Sequence, residues 1–179
     1  MINDSGYFYP DETGACDTRY ELSVNSAGRY KLIRRESFET IRPAGRNGFQ
    51  LLYLAGGSAD FVIGGKNFHL TEGHVILYYP GERQYYLYER KNHPEAYWLH
   101  FTGSQAASWA SRAGFSHSGF CRTGLQSEFV LLFRRIIREV QLKKPRCHPL
   151  CALYTRELLE LLIRQTQSQQ DTSGHGSEL

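Results

Sequence analysis

The sequence predicts a mainly β fold that gives way to α-structure: an antiparallel sandwich or barrel followed by two long helices. Three observations carry this. Residues 49–66 hold two apolar strand-like runs separated by Gly56-Gly57 and closed by Gly64-Gly65, and glycine supplies the positive φ angles that tight two-residue turns require. Short apolar segments punctuated by Gly and Pro continue to Phe101, at the spacing of an all-β domain. Beyond Gly103 the apolar residues switch to the helical period.

Taken in order, residues 1–12 have no clear periodicity, and Tyr7-Phe8-Tyr9-Pro10 is an aromatic patch in a polar arm that either frays or docks. Short strands are predicted at 29–33 and 38–41, and 43–48 is a loop leading into the central hairpin of 49–66, whose apex is Gly64-Gly65. Further strands are predicted at 67–70, 74–79, 84–88 and 95–101, separated by Gly73, Pro80-Gly81 and Asn92-His93-Pro94. A short helix to about Arg112 ends at Gly114. Leu125, Phe129, Leu132, Phe133, Ile136, Ile137 and Val140 mark the first long helix, and a second runs from about Leu150 to Gln165 after Pro145 and Pro149. Its apolar residues form two stripes. One covers the core, and the other, Ala152, Leu159 and Ile163, is either a second protomer's contact or part of one wide interface within the chain. Residues 166–179 read as a Gln/Ser/Gly-rich linker.

The 179 residues suffice for one domain with its own core. Lys and Arg total 21 against 18 Asp and Glu, with no basic run longer than a pair, which is not a nucleic-acid footprint. The N-terminus carries no signal-peptide pattern, the four cysteines are irregularly spaced, and no apolar run approaches the roughly 20 residues that cross a bilayer. A soluble cytoplasmic protein with no membrane partner is expected. The 12 Tyr, 10 Phe and 2 Trp serve equally as sheet core or as the lining of a ligand site.

Residues 73–84, Gly-His-Val-Ile-Leu-Tyr-Tyr-Pro-Gly-Glu-Arg-Gln, resemble the second motif of the cupin superfamily, in which a histidine metal ligand follows the Pro/Gly turn. Gln84 stands where that histidine would be, Phe49 where cupin enzymes place a carboxylate, and no His-x-His precedes it. An amide and a phenyl ring do not replace imidazole and carboxylate as metal ligands, so no metal or other cofactor is expected. Cys147-His148-Pro149-Leu150-Cys151 has no second cluster to complete a zinc site, and no phosphate loop, nucleophile elbow or paired-carboxylate motif is present. An enzyme is not expected.

Strand alternation places Ala96, Trp98 and His100 on one face and Tyr97, Leu99 and Phe101 on the other, while Gln84, Tyr86 and Tyr88 share a face of the preceding strand. A pocket floored by Trp98 and edged by His100, Gln84 and Tyr86 suits a sugar, whose C–H face stacks on a ring while its hydroxyls take hydrogen bonds. The same residues would also fill a ligand-free barrel.

Three segments together resemble the N-terminal ligand-binding and dimerisation domain of AraC-type transcription regulators over residues 20–165: Arg42-Pro43 before Gly48-Phe49-Gln50-Leu51-Leu52-Tyr53, the turn Pro80-Gly81-Glu82, and Tyr97-Trp98-Leu99-His100-Phe101. The resemblance implies a metal-free cupin-like (jelly-roll, double-stranded β-helix) barrel at 20–102, an arm at 1–19, helices at 103–165 that form a homodimer, and a helix-turn-helix domain beyond this chain through which alone DNA is bound. It also implies that Arg42 hydrogen-bonds a saccharide effector, that Tyr86 lines its pocket, that Trp98 stacks on it, and that the arm at Tyr7 to Pro10, with Tyr9 and Pro10, closes over it. The family's arabinose-responsive member has a pocket histidine two residues before the tryptophan, where this chain has Ala96; His100 on the same face offers an imidazole instead. The alternatives of another class are a metal-dependent cupin enzyme acting on a sugar, and a ligand-free dimerisation module.

Overall fold

The computed structural model describes residues 1–9 and 14–174. Ten strands precede or interleave with three helices: β1 Ile2–Tyr7, β2 Ser23–Lys31, β3 Ser37–Arg42, β4 Phe49–Gly56, β5 Ser58–Ile63, β6 Lys66–Thr71, β7 His74–Tyr78, β8 Gln84–Glu89, β9 Glu95–Thr102, α1 Ala106–Arg112, β10 Gly119–Arg122, α2 Ser127–Leu142 and α3 Cys147–Gly174. They form two antiparallel sheets, ordered β1-β2-β9-β4-β7-β10 and β3-β8-β5-β6. Strands β2 to β9 form two four-strand sets, β2-β9-β4-β7 and β3-β8-β5-β6, and the chain crosses between them at every step except the β5–β6 hairpin, which is the jelly-roll arrangement of the cupin-like fold. The described strand pairings stay within each sheet, so the expected barrel is a two-sheet roll.

The turn Gly64-Gly65 links Ile63 to its register partner Lys66, with φ of 57° and 76°, the pair of positive values a type I′ hairpin needs. The expected central hairpin of 49–66 keeps its apex but is corrected to its second half, β5 and β6. β4 and β5 belong to different sheets, and Gly56-Gly57 carry the chain from one layer to the other.

The six-stranded sheet is covered on both faces, by the second sheet on one side and by helices on the other. Accordingly β4 and β9 are buried at nearly every position, whereas β5 and β8 in the half-solvated sheet alternate. The helical side is an apolar core in which Tyr97, Leu99 and Phe101 of β9 meet Phe129, Phe133 and Ile136 of α2 and Leu158 and Leu162 of α3.

Two elements extend what the sequence pattern marked. The polar N-terminal residues pair with β2 from Ile2↔Lys31 to Tyr7↔Ser26, and Gln141 of α2 donates from Nε2 to Asp4 Oδ1 at 2.6 Å. Helix α3 starts at Cys147 and continues to Gly174, so the expected start near 150 and end near 165 are both corrected. Pro149 falls in its first turn, where a missing N–H costs no hydrogen bond, and glutamine-rich sequence is compatible with helix.

Candidate functional site

The site is built on the inner face of β9. Trp98 pairs with Gly28 of β2 and Leu52 of β4, and its indole lies over Gly28, where an added Cβ would sit 2.5 Å from Cζ2. A glycine is needed there for the ring to lie against the strand. Tyr30, Tyr7 and His100 surround the indole with ring centroids at 5.7, 5.8 and 4.8 Å.

Facing it, β3 and β8 bring three side-chain pairs to the interior by cross-strand register: Phe38 with Tyr88, Thr40 with Tyr86, and Arg42 with Gln84. Gln84, Tyr86 and Tyr88 are all buried, and Gln50 of β4 spans the two sheets by donating from Nε2 to Tyr86 Oη at 3.2 Å.

His100 is fixed by Ser26, whose Oγ lies 2.7 Å from Nδ1. Burial, with the positive charges of Arg46 and Arg42 adding to it, pushes the imidazole well below its ordinary pKa, so it is neutral at physiological pH. Its Nε2 is then a donor or an acceptor according to which way the Ser26 hydrogen bond runs. Burial likewise raises the pKa of Tyr88 well above that of free tyrosine, and that of Tyr30. These groups remain uncharged hydrogen-bonding partners.

Six buried polar atoms here have no protein partner among the described residues: Gln50 Oε1, Gln84 Oε1 and Nε2, Tyr88 Oη, Trp98 Nε1 and His100 Nε2. A buried polar atom left without a partner costs about 1–3 kcal/mol, and a domain's net stability is only about 5–15 kcal/mol. So many on one face therefore mark a surface made to hydrogen-bond something other than the protein. The set mixes donors and acceptors beside an aromatic plate, the pattern that suits a hydroxyl-rich molecule. Among the described residues no three His, Cys, Asp or Glu side chains converge on a metal position.

Of the residues expected from sequence, Gln84, Tyr86, Trp98, His100 and Arg42 meet in this interior. Tyr9 does not. It lines an outer groove of about 730 Å³ with Leu22, Pro149, Ala152 and Leu153, and Tyr7 takes the position beside Trp98. Pro10 lies outside the described residues. Phe49 faces the helices, stacked on Phe101 at 5.3 Å, so the residue turned inward is its neighbour Gln50, paired in register with both Tyr78 and His100. The sequence reading passed over Gln50, Tyr30, Ser26 and Gly28, for the first of which a lone amide within the apolar run 49–55 was the available signal. Leu159 and Ile163 are 1% and 5% exposed within the chain's own core, leaving Ala152 as the half-buried member of that stripe.

No curated protein sequence matches the chain. Solved structures of similar shape include apo ToxT from Vibrio cholerae, at 10% identity and TM-score 0.49 over 88% of this chain and 58% of that one. YhaK from Escherichia coli follows at 15% identity and TM-score 0.43 over 57% of this chain and 45% of that one. The cupin domain of Cnp3 from Schizosaccharomyces pombe has 13% identity and TM-score 0.37 over 57% and 69%. The chain thus spans about half the length of the first two. The profile of the AraC-like ligand-binding domain matches residues 30–171, from the strand that carries Gly28 and Tyr30 through most of α3, and the chain belongs to that family.

Proposed function

We propose that this domain senses a small polar effector, a saccharide, held between the sheets with its C–H face on Trp98. The observation that carries the reading is the cluster of six buried polar atoms without protein partners around that indole. Gln50, Gln84, Tyr88 and His100 supply the hydrogen bonds, and Arg42 and Tyr86 complete the rim. The groups are those of recognition rather than turnover, so the domain binds its ligand without transforming it.

Binding is communicated through what touches the site. Tyr7 stands beside Trp98, and the strand that carries it is tied to α2 through Gln141. A ligand that favours one arrangement of arm and helices shifts the equilibrium by its differential affinity for that arrangement. The readout is DNA binding by a helix-turn-helix domain joined beyond α3, in a cytoplasmic homodimer. With Leu159 and Ile163 buried, the dimer face would be formed by Ala152 with Leu153, which is 59% exposed, and the half-buried Leu150, Tyr154 and Leu161. A monomeric wild-type chain, or an unaltered sedimentation profile for Leu153→Glu, would remove that face.

Thermal-shift and calorimetric titration against a panel of sugars tests the effector reading. At least one should stabilise the wild-type domain and lose its effect in Trp98→Ala. Stabilisation by none, or equal stabilisation of both proteins, rejects it. Stoichiometric iron, zinc or manganese in the purified protein would instead favour a metal-dependent enzyme.

A further inference from the structure

The end of the site at Arg42 has a different chemistry from the rest. Arg42 lies opposite Gln84 in the β3–β8 register, and Gln84 is fully buried between the sheets. Directly opposed residues of an antiparallel pair share a face, so Arg42 starts from the inner face; its neighbour Ile41 is the outward residue, 53% exposed. Arg42 is only partly exposed, and among the described residues its guanidinium has no salt bridge and no side-chain hydrogen bond. Both amide atoms of Gln84 are without protein partners as well.

A second guanidinium reinforces the positive potential. Arg46 is 9% exposed; burial, and next the charge of Arg42, lower its pKa. Arg46 has interactions of its own. The carboxylates on the surrounding strands are engaged elsewhere: Glu39 accepts from Tyr85 Oη at 2.8 Å, Asp60 contacts His69 at 2.6 Å, and Glu95 binds both Arg29 and Lys31. A neutral sugar offers no charge to balance the half-buried Arg42 guanidinium, which has no counter-charge among the described residues. The planar fork of arginine matches a carboxylate with two parallel N–H···O bonds, and the Gln84 amide stands beside it as a further donor.

Resting on the effector reading above, we propose that the ligand is an acidic saccharide, a uronic or aldonic acid, whose carboxylate is clasped by Arg42 and Gln84 while its hydroxyls meet Gln50, Tyr88 and His100. A single-charged carboxylate fits better than a phosphate, because a dianion costs more to bring into an interior otherwise made of neutral groups.

Calorimetry on the wild-type domain with matched sets decides it: glucose, glucuronate, gluconate and glucose 6-phosphate, and the galactose equivalents. An acid is expected to bind about 10–100-fold more tightly than its neutral parent, the range for a charge-assisted pair. Arg42→Gln should weaken the acid far more than its neutral parent and so erase that preference, and Arg42→Lys should retain part of it; circular dichroism melts establish that both variants fold. The acid's affinity should also fall with added salt while the parent's does not. If a neutral sugar binds in a Trp98-dependent way as tightly as its acid, or Arg42→Gln weakens both equally, the carboxylate is wrong and the effector reading stands. Tighter binding of the phosphate than of the carboxylates also overturns it. If no saccharide binds, the effector reading falls and this inference with it.

Discussion

The two faces of strand β9 are made from adjacent residues and follow opposite rules. Tyr97, Leu99 and Phe101 point to the helices, where the core is apolar and its polar tips are satisfied within the chain; on the same face of β4, Tyr53 Oη accepts from Gln126 N at 2.8 Å and donates to Gly124 O at 3.4 Å. Trp98 and His100 point to the second sheet, where both rings keep a buried nitrogen without a partner among the described residues. Burial is equal on the two sides; completeness is not. The helical face is a finished core, and the inner face is one that the proposed ligand would complete. A strand with period two can therefore serve stability with one set of residues and recognition with the alternate set.

The sharpest way to test the helical side is truncation. Phe133 is fully buried, with ring centroids 5.5 Å from Tyr97 and 6.5 Å from Tyr53. Phe133→Ala should cost about 3–5 kcal/mol, the usual loss for a large buried ring, read as a lower urea midpoint with unchanged m-value. A loss under about 1 kcal/mol would mean that this core is looser than its burial implies. On the inner side the comparable disturbance is an insertion. Gly28→Ala places a methyl 2.5 Å from Trp98 Cζ2 and 2.8 Å from Ser5 Cβ, so the indole or strand β1 must move. Overpacking of this kind costs about 1–3 kcal/mol, and near-ultraviolet circular dichroism of Trp98 in a Trp109→Phe background should change with it. An unchanged spectrum would show that the indole does not depend on that glycine.

How much of this was legible in the sequence follows from the same two faces. Alternation in 84–88 and 95–101 identified Gln84, Tyr86, Trp98 and His100 because a period of two is local and survives folding. The separation of β4 from β5 was hidden, since which strands share hydrogen bonds is decided by distant segments and not by the glycines between them. Gln50 escaped because its strand is buried on both faces, which erases the polar alternation that would have set it apart. The strands β1 and β10 sit at the sheet edges and carry mostly polar or mixed residues, so neither has a hydrophobic pattern to read. Leu159 and Ile163 formed an apparent second stripe on α3 because that helix is covered across a wide arc by α2 and the sheet, a single interface that imitates two.

Acid should sharpen the comparison in a graded way. His100 is held neutral by burial and by the Arg46 and Arg42 charges, with a folded pKa below the ordinary 6.5. Above 6.5 neither the folded nor the unfolded state binds a proton there, and the residue imposes no pH dependence. As pH falls below 6.5 the unfolded chain takes up a proton that the folded one refuses, so stability declines toward the folded pKa, by at most about 1.4 kcal/mol per pH unit from this group. Urea titrations between pH 7 and 5 should show that decline in the wild type and a smaller one in His100→Gln. Parallel curves for the two proteins would mean that other groups set the acid response.

The smallest expected effect is the one that separates the faces most directly, because the chemical change is identical on each. Tyr53→Phe and Tyr88→Phe both delete one hydroxyl from a residue 1% exposed. At Tyr53 the hydroxyl accepts from Gln126 N and donates to Gly124 O; its loss leaves the part-buried Gln126 N–H short of a partner, while Gly124 O keeps the Thr123 hydroxyl at 3.2 Å, and should cost about 1 kcal/mol. At Tyr88 the hydroxyl has no protein partner among the described residues, so its removal should leave the ligand-free domain as stable as before or more stable by up to about 1 kcal/mol. Effector affinity should respond in the opposite order, falling in Tyr88→Phe and holding in Tyr53→Phe, measured by urea unfolding and calorimetry on the same preparations. Equal destabilisation by both substitutions would show that the Tyr88 hydroxyl is satisfied within the protein. The inner face would then be a finished core like the outer one, and the domain's binding site would have to lie elsewhere.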